Sequence, residues 1–272
     1  MRHSPWRTPA LLAAAGLLLA QAAAAQKVSF KDPTGDDNGP GNYTYPTDAV
    51  YKRGSFDLAG FDVEAKGGKV DFDVTFNSTL EDPWGMKVGF AVQMVFIFID
   101  TKKGGFTDTV PGLNVKFADT DGWDKLVILS PQPPGRVKDE ITAKVPADRA
   151  AAIVVPNRVK GAGRTISATV DLDALGGGDP SQWGYQVLAQ SNEGFPADKD
   201  LLTRKVNEFE GQHRFGGGTD YDCDPHVMDC LAGAGTGAPE EAEAQHAMLK
   251  HECNPDGTAK QGAVLKMVRK SS

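Results

Sequence analysis

Residues 90–99 read Phe90-Ala91-Val92-Gln93-Met94-Val95-Phe96-Ile97-Phe98-Ile99 and are apolar at every position except Gln93. Aromatic and β-branched side chains in so short a run favour a strand over a helix. A strand that is apolar on both faces is covered by protein on both sides. The run therefore predicts a central strand of a sheet that has a packed layer on each face.

The segment before this run shows a different pattern, in which apolar and polar residues alternate. The apolar positions are Val70, Phe72, Val74 and Phe76, and the polar positions are Asp71, Asp73, Thr75 and Asn77. A period of two is typical of a strand with one face on a core and the other in water. This segment is predicted to be a half-buried strand.

Further short strands are predicted along the chain, mostly separated by turn residues. They cover residues 57–65, 113–117, 125–130, 137–145, 165–171 and 185–191. Short strands joined by Gly, Pro, Asn and Asp turns, without a long amphipathic helix between them, indicate a mainly β fold, an antiparallel β-sandwich. Short helical turns are predicted at 146–152 and 172–175. A C-terminal helix is predicted at 239–251, where a proline fits the first turn and acidic residues complement the helix dipole.

The first 25 residues have the order of a secretory signal peptide. Arg2 and Arg7 form a basic start, residues 10–20 are apolar, and small residues stand before Gln26. The apolar run is shorter than the roughly 20 residues that a bilayer requires. We therefore expect cleavage near Ala25 and a secreted or periplasmic protein, associated with the cell surface and not spanning the membrane.

The remainder divides by composition. Residues 26–218 are predicted to form the sandwich, and residues 219–272 a tail with Cys, His and one helix that packs as an extension of the same domain. The net charge of −7 at pH 7 is opposite to that of proteins that bind nucleic acids through phosphates. We expect no nucleic-acid partner.

Four ordered segments carry a family resemblance. They are Asp32-Pro33-Thr34-Gly35-Asp36-Asp37-Asn38-Gly39-Pro40-Gly41-Asn42-Tyr43-Thr44-Tyr45-Pro46-Thr47-Asp48, then Asp82-Pro83-Trp84-Gly85 with the apolar strand to Ile99-Asp100-Thr101, then Asp121-Gly122-Trp123-Asp124, and Phe215-Gly216-Gly217-Gly218 with Asp224-Pro225. Together they resemble the C-terminal module of glucodextranase and the related module of amylopullulanases. The resemblance implies a non-catalytic β-sandwich, similar to DOMON-like domains and family-9 carbohydrate-binding modules, that accompanies a glycoside hydrolase acting on α-glucans.

The chain departs from that family pattern in three ways. It contains no hydrolase, Lys102-Lys103 follow Asp100-Thr101, and the tail carries Cys and His. The predicted partner is a polysaccharide, an α-glucan or a cell-surface glycan, and the alternative is a structural protein of the cell envelope or S-layer. A further alternative is a heme-binding electron-transfer domain with Met86, Met94 or His213 as ligands. No nucleophile elbow, phosphate-binding glycine loop or metalloprotease helix occurs in the sequence, so we expect no catalysis.

Clustered acids near the start of the chain predict a structural calcium site. Asp32, Asp36, Asp37 and Asn38 lie in a glycine-rich loop. Calcium takes six to eight oxygen ligands in flexible geometry, and close carboxylates repel one another unless a cation lies between them. The alternative is a solvated turn in which these side chains bond nearby backbone amides.

Five aromatic residues are predicted to bind sugar, because each lies in or near a loop where its ring can stack on a sugar. They are Trp84, Trp123, Trp183, Tyr43 and Tyr45. The alternative is that these rings belong to the core of the sandwich.

The odd number of cysteines in an exported chain predicts one disulfide and one free thiol. Cys223, Cys230 and Cys253 allow three pairings. The alternative is a zinc site that adds His226, His246 and His251, although the spacings match no paired Cys or His motif.

Overall fold

The computed structural model describes Met1, residues 26–220 and residues 223–270. The predicted signal peptide, apart from Met1, lies outside these residues. The strands are β1 (Gln26–Lys31), β2 (Leu58–Lys66), β3 (Lys69–Phe76), β4 (Gln93–Asp100), β5 (Val115–Phe117), β6 (Lys125–Leu129), β7 (Ile153–Val154), β8 (Val159–Ala162), β9 (Thr165–Asp171), β10 (Gly184–Ser191), β11 (Asp229–Cys230), β12 (Glu252–Cys253), β13 (Ala259–Gln261) and β14 (Ala263–Leu265). The helices are α1 (Pro134–Lys144), α2 (Ala147–Ala150) and α3 (Glu240–Leu249), with 3-10 turns at Leu172–Leu175 and Pro180–Gln182.

Two five-stranded sheets form the body of the described protein. Sheet A has the order β1-β2-β3-β9-β8, and sheet B has the order β11-β10-β4-β6-β7. Neighbouring strands are antiparallel throughout sheet A and in sheet B except for the parallel pair of β6 and β7. The predicted mainly β, antiparallel fold is confirmed.

Strand β4 is covered on both faces, as its composition predicts. All eight of its residues are buried. Ile97 belongs to a first core, which includes Phe72 of β3 and so lies between the two sheets. Phe96 belongs to a second core on the other face of sheet B, together with Ile141 of α1 and Leu249 of α3.

The predicted strand at 137–145 is wrong, because this segment lies largely in helix α1. Val137 and Ile141 are buried, and they are four residues apart, so they share one face of a helix and not of a strand. Pro134 occupies the first turn, where a proline needs no hydrogen-bond partner. The helical period of the apolar residues outweighs the β-branched composition of the segment.

The tail packs on both cores. Leu231 and Val268 belong to the first core, whereas Met248 and Leu265 belong to the second. Strand β11 extends sheet B beyond β10, and β14 pairs in parallel with β5. Among the described residues, none of the helices has the length and apolar character needed to cross a membrane.

Candidate functional site

The structure separates the five aromatic residues that were predicted to bind sugar. Trp123 and Trp183 are 0% and 4% exposed, and Tyr43 is 4% exposed, so these rings are core residues and offer no face to a ligand. Tyr45 is half-buried. Trp84 is 38% exposed, and of these five rings its indole is the most accessible to a ligand.

A tight turn holds Trp84 at the surface. The carboxylate of Asp82 accepts hydrogen bonds from the backbone N–H groups of Met86 and Lys87 at 2.6 and 2.7 Å. Gly85 adopts φ +67°, a conformation that glycine takes without strain. The turn therefore fixes the indole without burying it.

Trp84 lines an open cleft with a volume of about 420 Å³. Phe195, which is 94% exposed, lines the same cleft. We call it the Trp84 cleft, and its polar lining residues are Gln132, Arg136, Asn192, Glu193, Arg204 and His213. Exposed aromatic side chains beside converging polar groups are typical of a ligand site.

Two buried amides form the floor of the Trp84 cleft. Gln132 donates a hydrogen bond from Nε2 to Oδ1 of Asn192 at 3.2 Å. Asn192 in turn donates from Nδ2 to the carbonyl oxygen of Ala91 at 3.1 Å. These bonds fix both amides, so the cleft presents hydrogen-bonding groups in a defined orientation.

The charged residues of the cleft are largely engaged within the protein. Arg204 forms an ion pair with Glu193, with 2.6 Å between Nη1 and Oε2. Arg136 donates to the carbonyl oxygen of Gly194 and to Oε1 of Gln132. The cleft therefore offers apolar rings and hydrogen bonds more than free charge, which suits a neutral polyhydroxylated ligand.

Most residues that line the Trp84 cleft were not predicted from the sequence. Trp84 was predicted to bind sugar, whereas Phe195, Gln132 and Asn192 were not. One local signal was present, since Phe195 stands between Gly194 and Pro196 in a loop, where an aromatic side chain has no strand to pack against.

A second feature is a group of buried carboxylates. Asp32, Asp36 and Asp229 place carboxylate oxygens within 4.8 Å of one another, and we call them the acidic cluster. Asp32 follows β1, and Asp229 lies in β11, so the cluster joins edge strands of sheets A and B. The sequence pointed to Asp32 and Asp36, whereas only the fold brings Asp229 beside them.

The other two residues that were predicted to bind calcium have different partners. The carboxylate of Asp37 accepts a hydrogen bond from the hydroxyl of Tyr45. Oδ1 of Asn38 lies 3.2 Å from Nε2 of His246. Neither residue belongs to the acidic cluster.

Burial gives the acidic cluster unusual protonation behaviour. It raises the pKa of Asp36 to about 7, and it raises the pKa values of Asp32 and Asp229 well above the usual range. Neighbouring carboxylates act in the same direction because like charges disfavour ionisation. Nearby Asp57 has its pKa raised to about 6, again mainly by burial.

A disulfide joins Cys223 and Cys253 and settles the pairing that the sequence left open, while Cys230 is a buried thiol. Two of the three sulfurs in the zinc alternative are therefore bonded to each other and are not thiolate ligands.

His251, which the zinc alternative also includes, has a carboxylate as its partner. Its Nε2 lies 3.0 Å from Oδ1 of Asp224.

One of the three residues named as heme ligands lies apart from the other two. Met94 is buried in the second core. Met86 and His213 both line the Trp84 cleft, so a heme bound by them would occupy the same cleft as a sugar.

Comparison with known proteins gives one family. The model of the family described as the C-terminal binding-module, SLH-like, of glucodextranase matches residues 28–267. No match was found among curated proteins. The matched range contains the Trp84 cleft, the acidic cluster and both sheets except the first two residues of β1. The chain therefore belongs to the family of SLH-like C-terminal binding modules of glucodextranase.

Proposed function

We propose that the protein is a secreted, non-catalytic module that binds polysaccharide in the Trp84 cleft. The observation that carries the proposal is the exposure of Trp84 and Phe195 beside the fixed amides of Gln132 and Asn192. An aromatic face packs against the apolar face of a sugar ring while amides bond its hydroxyl groups. Membership of a binding-module family supports this role.

The proposed ligand is an α-glucan or a cell-surface glycan, and the proposed location is outside the cell, at its surface. The SLH-like character of the family supports this location. A glycoside hydrolase that acts on the same glycan is the proposed functional neighbour. The module would keep such an enzyme, or the cell, close to its polymer.

A structural calcium ion is the second component of the proposal. The supporting observation is the acidic cluster, in which buried carboxylates from two sheets come together. The ion would hold the fold and take no part in chemistry.

The alternative function is that of a structural protein of the envelope or S-layer, and the SLH-like family description favours it. In that case the partner is an envelope protein or a cell-wall polymer without affinity for α-glucan. Spectroscopy distinguishes the heme alternative from the other two functions. If Met86 and His213 bind heme in the cleft, titration with hemin would give a Soret band.

The test is retention of the purified protein on α-glucans and on cell-wall polysaccharide, measured by affinity electrophoresis and pull-down. Trp84→Ala should weaken binding by about 10- to 100-fold, because burying one large apolar side chain is worth about 1.5–3 kcal/mol. Phe209→Ala is the matched control, since Phe209 is 64% exposed and does not line the cleft.

Equal retention of Trp84→Ala and the unmodified protein would refute the cleft as the binding site. Retention on envelope fractions alone, with no affinity for any isolated glycan, would favour the structural alternative. Unchanged melting temperatures of both variants would show that the loss of binding is local.

A further inference from the structure

We propose that Asp32, Asp36 and Asp229 bind one Ca²⁺ ion, which fastens the edge of sheet A to the edge of sheet B. This inference rests on the structural cation of the proposed function and names its ligands. It does not depend on which glycan the cleft binds.

Four side-chain oxygens of the acidic cluster have no hydrogen-bond partner among the described residues. Both side-chain oxygens of Asp32, Oδ1 of Asp36 and Oδ1 of Asp229 are buried and accept no hydrogen bond from any described residue. The side chains are only 5%, 5% and 0% exposed. A buried polar atom without a partner costs about 1–3 kcal/mol, and more if it is charged. A ligand that satisfies several of these atoms at once would remove that cost.

A neighbouring buried carboxylate differs from the acidic cluster because it has hydrogen-bond donors. Glu241 of α3 is 4% exposed. Its oxygens accept hydrogen bonds from the backbone N–H groups of Ala234, Thr236 and Gly237 at 2.8–3.1 Å. The fold therefore supplies backbone N–H donors to this single buried carboxylate. It provides none for the facing oxygens of the acidic cluster within the described part of the chain.

Hydrogen bonds with surrounding residues hold the acidic cluster in place. The other oxygen of Asp229 accepts the backbone N–H of Leu58 at 2.7 Å, at the start of β2. Gln245 of α3 is fully buried and bridges the backbone, accepting from Cys230 N at 2.7 Å and donating to Asp36 O at 2.6 Å. These bonds hold the carboxylates in position against their mutual repulsion.

The chemistry of the ligands selects the ion. The cluster contributes only carboxylate oxygens, which suit a hard cation and not a thiophilic metal. Calcium tolerates irregular, oxygen-rich sites of six to eight ligands, whereas magnesium requires a near-octahedral set and retains its water. The carboxylate oxygens of the acidic cluster come from the loop after β1 and from β11, and such an irregular set suits calcium.

The test uses the full exported chain, stripped with chelator and titrated with CaCl2 or MgCl2 by calorimetry and thermal melting. We expect saturable heat with Ca²⁺ and a rise in melting temperature of about 5–10 °C at a concentration 100-fold above the Kd. Absence of both responses would overturn the proposal, and an equal response to Mg²⁺ would overturn the assignment to Ca²⁺.

Two variants locate the site. Asp32→Asn should abolish the calcium response and melt no lower than the unmodified protein in chelator, because it removes one of three buried carboxyl groups that disfavour one another's ionisation. Asp198→Asn, at an exposed position, should keep the full response. An undiminished calcium shift in Asp32→Asn would overturn the ligand assignment. If Asp32→Asn fails to fold, Asp36→Asn is measured in its place, with the same two outcomes.

Glycan retention is measured on the same samples. A calcium shift without glycan binding contradicts the glycan part of the proposed function alone. Glycan binding without a calcium shift contradicts the cation alone.

Discussion

At the residue scale, Asp224 and Asp32 have opposite surroundings although both are buried. Burial by itself would raise the pKa of Asp224, but hydrogen bonds from His251 and Thr219 outweigh it and hold the pKa below its usual value. The backbone N–H of Thr219 lies 2.7 Å from Oδ2, and Nε2 of His251 lies 3.0 Å from Oδ1. Asp224 is therefore stabilised as an anion by the protein, whereas Asp32 has no such donors among the described residues.

The pair of His251 and Asp224 should make stability depend on pH. The bond with Asp224 raises the pKa of His251 above 6.5, so its contribution is complete below pH 6.5 and is lost as the pH rises through the raised value. Asp224 has its pKa lowered below 3.8, so its contribution is present above pH 3.8 and is lost as the pH falls through the lowered value. The pair is most stabilising between these limits.

His251→Gln should lower the free energy of unfolding by about 1–2 kcal/mol at pH 5.5 and by less at pH 9. Urea unfolding at the two pH values measures the difference. His246→Gln, which replaces a histidine facing the neutral Asn38, is the control. A loss of equal size at both pH values would show that His251 acts through packing and not through its charge.

The role of a single residue was predictable where its sequence neighbours determine it. It was not predictable where tertiary contacts determine it. Asp32 and Asp36 are close in the sequence, so their spacing points to a common site, whereas Asp229 reaches them only through the pairing of β11 with β10. Trp84 and Trp123 each stand beside glycine in the sequence. Only tertiary packing places one at the surface and the other in the second core.

At the element scale, the strands with a clear period of two were predictable. The alternation over β3 and the apolar run of β4 identify both strands, because a sheet face imposes its pattern directly on the sequence. Helix α1 was missed because β-branched residues stand at its buried positions, Val137 and Ile141. Their spacing of four was the informative feature, and their side-chain type was misleading.

The disulfide should stabilise the tail by restricting the unfolded chain. Cys223 and Cys253 are 30 residues apart, and closing a loop of that length is worth about 3–4 kcal/mol in the chain-entropy account. We expect the double variant Cys223→Ser/Cys253→Ser to lose stability of that order in urea unfolding. Reductant should lower the stability of the unmodified protein and leave the double variant unchanged. A double variant as stable as the unmodified protein would contradict this account.

At the scale of the whole molecule, sheet B is shared by two cores. Its inner face meets sheet A, and its outer face meets α1, α3 and the β5–β14 pair. Because β4 contributes alternate side chains to both cores, neither core can lose its packing without disturbing that strand. The apolar run predicted this double coverage, but not which elements provide the second layer, because they come from segments far apart in the sequence.

The shared strand predicts that both cores unfold in one transition. Trp183 reports on the first core and Trp123 on the second. Ile97→Val removes one methylene from the first core, which costs about 0.5–1.5 kcal/mol and lowers the melting temperature by about 2–5 °C. We expect the same shift in fluorescence melts of the Trp84→Phe/Trp123→Phe and Trp84→Phe/Trp183→Phe backgrounds, each compared with its own parent, because each background leaves the indole of one core as the reporter. A shift confined to the background that retains Trp183 would mean that the two cores unfold separately and that β4 does not couple them.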